Sequence, residues 1–312
     1  MIRVRTLRLA LALLFSIVAA SASADEGRVQ VGAIDAVLSM PSGVERPVVA
    51  LLIAGSGSTD HDGNGPQIKP ATLKKLSEQL VARNIATLRY DKRGAGGWKP
   101  AFGKPEDFRF KDYVDDAAQL IDYLRSSGKF SKVALVGHSE GGLVGILAAM
   151  RTPVDRLVLL ATAARKQGDL LKAQLEKKLS ADAFAPVAKA IDAIMAGETV
   201  DPPPAGLAIP PVMQPSIASA FAADPIDPLL KLVVPTLIVA GGQDHQIARL
   251  DFLALSTAAP VAKTLWLPQM NHVLVDVSDD ADDVASYNQP ERPLDADMID
   301  AVSAFLLATG TR

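Results

Sequence analysis

Val133-Ala134-Leu135-Val136-Gly137-His138-Ser139-Glu140-Gly141-Gly142 decides the fold. Its first four residues are apolar and end at a glycine, which suits a short strand buried on both faces of a parallel sheet. Leu143 to Met150 then reads as a helix starting near Gly142. Between the two lies G-x-S-x-G, so the chain must reverse from strand to helix within a few residues. A serine on so sharp a turn has its hydroxyl thrust out above the sheet, and the flanking glycines are needed because side chains there would clash. By composition alone such a pentapeptide arises in about one chain of this length in ten. Its weight comes from the strand before it and the helix after it.

Outward from this turn the same alternation recurs. Val48 to Ala54, Ile85 to Tyr90, Leu157 to Ala161 and Thr236 to Ala240 are further short apolar runs bounded by turn residues. Ala71 to Arg83 and Tyr113 to Arg125 carry helical patterns between them. Strand alternating with helix implies a right-handed, parallel α/β sheet. Val29 to Met40, ahead of Pro41, reads as antiparallel strands at the beginning of the sheet, and Leu294 to Leu307 as a closing helix.

The alternation lapses from about Arg165 to Leu230. Leu170 to Leu179 and Ala183 to Met195 are helix-like, and a proline-rich stretch follows through Pro202, Pro203, Pro204, Pro210, Pro211 and Pro215. We read residues 165–230 as a cap inserted into a core domain made of 25–164 and 231–312; the alternative is an elaborate crossover. Residues 1–24 read as a cleaved export signal, with Arg3, Arg5 and Arg8, the apolar stretch Leu9 to Ala20, and Ala22-Ser23-Ala24 before Asp25. About twelve apolar residues fall short of the roughly twenty that span a bilayer. The expected location is therefore periplasmic or secreted, with no membrane span in the mature form.

Composition excludes several classes. The chain is 49% hydrophobic and 21% charged, the balance of an ordinary globular protein. Its formal net charge is −3, and losing the three signal arginines leaves it more acidic still, which argues against nucleic acid as a partner. It has no cysteine, hence no disulfide, thiol nucleophile or thiolate metal site.

A serine hydroxyl is a weak nucleophile until a base removes its proton. The four histidines are His61, His138, His245 and His272. His138 lies in the turn itself and His61 in a loop before the nucleophile, leaving His245 and His272. His272 follows the apolar segment Thr264 to Leu267 by a few residues, and Asp244 stands just beyond Thr236 to Ala240. Ser139, Asp244 and His272 thus fall at one edge of a parallel sheet, where such folds bind ligands. The expected roles are nucleophile, orienting acid and base; His245 is the alternative base, and Asp276, Asp279 and Asp280 are alternative acids. A tetrahedral oxyanion needs two backbone N–H donors. Glu140, after the nucleophile, is expected to supply one, and the turn Ala54-Gly55-Ser56-Gly57-Ser58 the other, through Ser56 or else Gly57.

Gly55-Ser56-Gly57, Asp60 to Asn64, Tyr90-Asp91-Lys92-Arg93-Gly94, the Gly137 to Gly141 turn, Asp244 and His272 together resemble the α/β-hydrolase superfamily, in its bacterial esterase and serine-aminopeptidase-like branch. The resemblance covers nearly all of residues 30–308. It implies an α/β fold with an eight-stranded, mostly parallel sheet, no cofactor, and hydrolysis of an ester, thioester or amide. Ser139, Asp244, His272 is also that superfamily's order of triad residues. One departure is Ala54, where many relatives carry a histidine. A small-molecule ester with an apolar acyl or alcohol group is the expected substrate, because pockets are mostly lined by apolar residues such as those of the cap. Exopeptidase action would need cap acids, for which Glu176, Asp182, Asp192 and Glu198 are candidates. Acyl transfer to another acceptor and non-catalytic binding are the remaining alternatives.

Asp60-His61-Asp62-Gly63-Asn64-Gly65 matches the first half of a calcium loop, but Ala71 stands where the bidentate carboxylate belongs, so no metal is expected. Gly94 to Gly97 does not fit a nucleotide loop and reads as a turn, and Trp98 and Trp266 read as core or wall residues.

Overall fold

Buried strands come first in explaining this fold, and the computed structural model, which describes residues 25–95 and 107–310, places them where the apolar runs fall. The expected export signal over residues 1–24, and Gly96, Gly97 and Trp98, lie outside the described residues. In chain order the elements are β1 (Asp25–Val31), β2 (Ile34–Met40), β3 (Val48–Ile53), α1 (Thr72–Val81), β4 (Ile85–Tyr90), α2 (Lys111–Ser126), β5 (Lys132–His138), α3 (Glu140–Ala149) and β6 (Arg156–Leu160). There follow α4 (Gln167–Glu176), α5 (Ala181–Met195), α6 (Gln214–Phe221), α7 (Ile226–Lys231), β7 (Thr236–Gly241), α8 (Arg249–Ala258), β8 (Lys263–Leu267), α9 (Asp280–Ser286) and α10 (Ala296–Leu307).

The eight strands form one sheet in the order β1-β2-β4-β3-β5-β6-β7-β8. Pairing is antiparallel for β1 with β2 and β2 with β4, and parallel from β4 to β8. Every residue of β3, β4, β6 and β7 is buried, the signature of strands covered on both faces. Successive side chains point to opposite faces. Leu51 and Leu135 therefore join one hydrophobic core with α2 and α3, while Leu52 and Val136 join a second with α1 and α10. The helices meet these faces with apolar stripes at helical spacing, such as Leu73, Leu76 and Leu80 on α1 and Val114, Ala117, Ile121 and Leu124 on α2.

Helices α4, α5 and α6 pack around a cluster of their own, Val187, Ile191, Ile194, Leu207 and Phe221. The proline-rich stretch is less irregular than its composition suggests, since Pro215 sits in the first turn of α6, where its missing N–H costs nothing. Leu229 of α7 belongs to the sheet's core rather than to this cluster.

Register brings distant residues to one rim. Ile53 pairs with Gly137, His138 with Leu160, Leu160 with Val239 and Gly241 with Leu267. The residues just past the carboxyl ends of β3, β5, β7 and β8 therefore converge. Leu135 is fully buried at the centre of the sheet. Leu135→Ala is expected to cost about 3 kcal/mol, read as a lower urea midpoint with an unchanged slope.

Candidate active site

Ser139 stands between β5 and α3 with φ 54° and ψ −120°, a conformation non-glycine residues rarely adopt. Its N–H donates to the Leu160 carbonyl at 2.8 Å, which ties the turn to the neighbouring strand. The turn is closed by main chain packed on main chain. A Cβ at Gly137 would meet the Gly141 carbonyl, and one at Gly141 would meet the carbonyl of Ile53. Both glycines are thus required by space. The helix opens at Glu140, two residues earlier than its apolar pattern indicates, because the strained serine itself is the reversal.

Asp244 and His272 come together as the sequence predicts: His272 Nδ1 lies 2.8 Å from Asp244 Oδ2. The other carboxylate oxygen accepts the N–H groups of Gln246 and Ile247 at 2.8 and 2.9 Å. The Asp244 side chain is 1% exposed. Burial alone would raise its pKa, but the charge and hydrogen bond of His272 and the two backbone donors bring it below the usual carboxylate range. An ionised carboxylate can only accept, so Nδ1 carries the proton and Nε2 presents its lone pair. Gly241 lets the two loops cross, since a Cβ there would strike the Met270 carbonyl.

Two residues of the site were not anticipated. His138 Nε2 donates to the main-chain carbonyl of His272 at 2.8 Å, joining the serine turn to the imidazole's own loop. Burial, with the nearby His272, pushes His138 down to about 4, so it is a neutral strut. Asn271 is fully buried. Its Oδ1 accepts the N–H groups of Val273 and Val275 at 3.1 and 3.2 Å, and its Nδ2 donates to Asp283 Oδ1 and Ser286 Oγ at 2.7 and 2.8 Å. It folds the loop around His272 and pins it to α9. A buried-looking asparagine beside a candidate base is the one signal that could have flagged it.

Ser139 and His272 line one cavity of about 380 Å³ together with Gly55, Ser56, Gly57 and Tyr287. The Ser139 hydroxyl and His272 Nε2 are not hydrogen-bonded to each other. The N–H groups of Ser56 and Glu140 donate to no protein acceptor among the described residues. Gly55 packs on the serine, where an added Cβ would come 3.3 Å from Ser139 Cβ.

The alternative residues have other partners. His245 is exposed and its Nε2 lies 3.2 Å from Asp280. Asp279 caps α9, and Asp276 is pushed up to about 6 by burial and by Asp295. His61 Nδ1 is 2.7 Å from Asp91 Oδ1. In the calcium-like loop Asp62 pairs with Arg89, while Asp60 Oδ1 accepts the N–H groups of Asp62 and Asn64 at 3.0 and 2.8 Å. Trp266 packs against the sheet's core, its ring tilted against that of Phe252 with 5.4 Å between ring centres.

A sheet of this order, with a strained serine after β5 and a histidine–carboxylate pair beyond β7 and β8, is the arrangement of the α/β-hydrolase fold. Comparison with known proteins agrees. Residues 71–225 match the family model described as serine aminopeptidase, S33. The chain is 23% identical over 261 residues to esterase EstD of Thermotoga maritima, covering 81% of this chain and 61% of that one. It is 34% identical over 99 residues to the human serine hydrolase BPHL, covering 32% of this chain and 28% of that one, so it spans less than two thirds of either relative. Among solved structures, Est1E from Butyrivibrio proteoclasticus superposes with a TM-score of 0.56 at 18% identity, over 90% of this chain and 97% of the other. The fold is that of the α/β-hydrolases, and over the lengths given the chain is similar to an esterase and to the serine-aminopeptidase family.

Removing Asn271 would orphan two N–H groups and a carboxylate oxygen, while the Ser286 hydroxyl keeps its bond to the Asp283 carbonyl. Asn271→Ala is expected to destabilise the fold by about 3 kcal/mol or more, at about 1 kcal/mol or more for each buried group left unpaired. Asp283→Asn, which keeps an acceptor, should cost less; chemical unfolding of both variants measures the difference.

Proposed function

We propose that this protein is a serine hydrolase that cleaves a carboxylic ester or thioester through an acyl-serine intermediate. The observation that carries the reading is the 2.8 Å pairing of His272 Nδ1 with the buried Asp244 carboxylate, in a cavity that also exposes the strained Ser139. In this reading Ser139 Oγ attacks the substrate carbonyl carbon while His272 Nε2 takes its proton. The two groups close to hydrogen-bond distance as substrate seats, a tightening common to catalytic pairs. Collapse of the tetrahedral intermediate breaks the bond to the alcohol, which leaves with the proton from His272. Water, deprotonated by the same imidazole, then attacks the acyl-serine, and Ser139 recovers its proton as the acid departs. Asp244 keeps the imidazole in the required tautomer and stabilises its cation. The N–H groups of Glu140 and Ser56 receive the oxyanion.

Residues 165–230 act in this reading as the cap. A second cavity of about 490 Å³ lies between them and the core, lined by Phe108, Tyr113, Leu171, Ile209, Met213 and Ile217 among others. It shares Gly57 and Ser58 with the cavity that holds Ser139. Its apolar walls support a substrate with an apolar acyl or alcohol group. The esterase names of EstD and Est1E support the same class. Exopeptidase action draws no support from the cap acids: Glu176, Asp182, Asp192 and Glu198 are all exposed, and Asp192 is paired with Lys172. Residues 1–24 support export to the periplasm or beyond, and among the described residues no helix is long and apolar enough to cross a membrane.

A fluorophosphonate probe is expected to label the protein, with labelling lost in Ser139→Ala. Ser139→Ala and His272→Ala should each lower turnover of p-nitrophenyl esters by several powers of ten and by similar factors, because triad members act as a unit. His245→Ala should leave turnover within about threefold. An unlabelled native protein, or a crippled His245→Ala beside a healthy His272→Ala, would overturn the reading.

A further inference from the structure

Lys92 follows β4 in the stretch Tyr90-Asp91-Lys92-Arg93-Gly94, to which the reaction described above gives no task. Its side chain is 1% exposed. All that a buried ammonium needs is supplied at once: Nζ donates to the Gly55 carbonyl at 2.8 Å, lies 2.5 Å from Glu140 Oε1, and sits 4.1 Å from the centre of the Tyr113 ring. The Lys92 main chain adds a bond of its own, its N–H donating to the Thr59 carbonyl at 3.1 Å. Glu140 is held from the other side as well, since Gln167 Nε2 of α4 donates to its second oxygen at 2.7 Å.

The two residues that Lys92 grips are the two on which the oxyanion donors depend. A trans peptide is planar, with its C=O and N–H pointing in opposite directions. Fixing the Gly55 carbonyl on Lys92 therefore turns the N–H of Ser56, on the same peptide plane, away from Lys92. Ser56 lines the cavity of Ser139, whereas Lys92 is not among its lining residues. Holding the Glu140 carboxylate likewise fixes the first residue of α3, whose N–H is the other donor. Both N–H groups stand without a protein acceptor among the described residues.

We propose that Lys92 is the positioning residue of the oxyanion hole: one ammonium joins the Gly55 carbonyl to the Glu140 carboxylate and so aims both donors before substrate arrives. The proposal rests on the serine-hydrolase reading. Preorganised donors act on the transition state rather than on the bound ester, so losing the aim should show in kcat and leave KM nearly alone.

The test uses the full chain with p-nitrophenyl butyrate as substrate and an alkyl trifluoromethyl ketone as inhibitor, which adds to Ser139 as an oxyanion. Lys92→Met is expected to lower kcat by about 10²-fold, the scale of one lost oxyanion donor. KM should stay within about threefold, and ketone affinity should fall in parallel with kcat. Because Lys92→Met leaves the Glu140 carboxylate buried and unpaired, Lys92→Met combined with Glu140→Met serves as the second variant; replacing a buried ion pair by apolar residues of similar size is often neutral for stability. It retains the backbone N–H at 140, and it should show the same paired loss of kcat and ketone affinity. A folded double variant whose kcat and ketone affinity both stay within about threefold of native would overturn the proposal, as would a loss confined to KM. Failure of the underlying reading looks different: the native protein itself would neither hydrolyse the ester nor take a fluorophosphonate at Ser139.

Discussion

The site depends on main chain packed against main chain around Ser139. With Gly137 against Gly141 and Gly141 against the carbonyl of Ile53, no room is left for a gentler turn between β5 and α3. The serine is forced to φ 54° and ψ −120°, a strain of about 1–3 kcal/mol that the buried sheet around it over-determines. Relaxing the turn would mean pulling β3 from β5 or lifting α3 from the sheet, and either would expose far more apolar surface than the strain is worth. The hydroxyl is thus presented by the core's packing rather than by a local bond of its own.

Sheet register then does for Asp244 and His272 what the turn does for Ser139. Ser139, Asp244 and His272 are far apart in sequence, yet each follows a parallel strand by a few residues, so alignment of β5, β7 and β8 places them on one rim. Fine placement comes from buried polar groups. Asn271 shapes the loop of His272, His138 ties that loop to the serine turn, and backbone donors hold Asp244. The Asn271 side chain and the Asp244 carboxylate are buried with both ends bonded, where an unpaired group is costly, and that makes their contacts restrictive in geometry.

Much of this was legible in the sequence because continuous apolar runs between turn residues have few other uses than doubly covered strands. The runs at Ile85 to Tyr90 and Thr236 to Ala240 match β4 and β7 to within a residue. The G-x-S-x-G turn was legible for a steric reason that the structure states as overlapping atoms. Helices α6, α7, α8 and α9 were not read, being six to ten residues long with too few turns for a 3.6-residue period to stand out, and α6 was hidden by the prolines at its start. Lys92 and His138 were illegible as site residues because their work is a contact with a distant main-chain atom or side chain, and Asn271 was marked only by its place beside the candidate base. A lone lysine after a strand looks like any solvated turn residue until Gly55 and Glu140 are seen beside it.

The proposed chemistry requires a covalent bond to one oxygen. Rapid quench of the protein with a p-nitrophenyl ester, followed by intact-mass and peptide mapping, tests it most directly. The expected result is a transient mass increase of one acyl group, formed in a burst with nitrophenol and mapped to Ser139. Ester turnover with no acyl adduct, or with an adduct on any other residue, would contradict it.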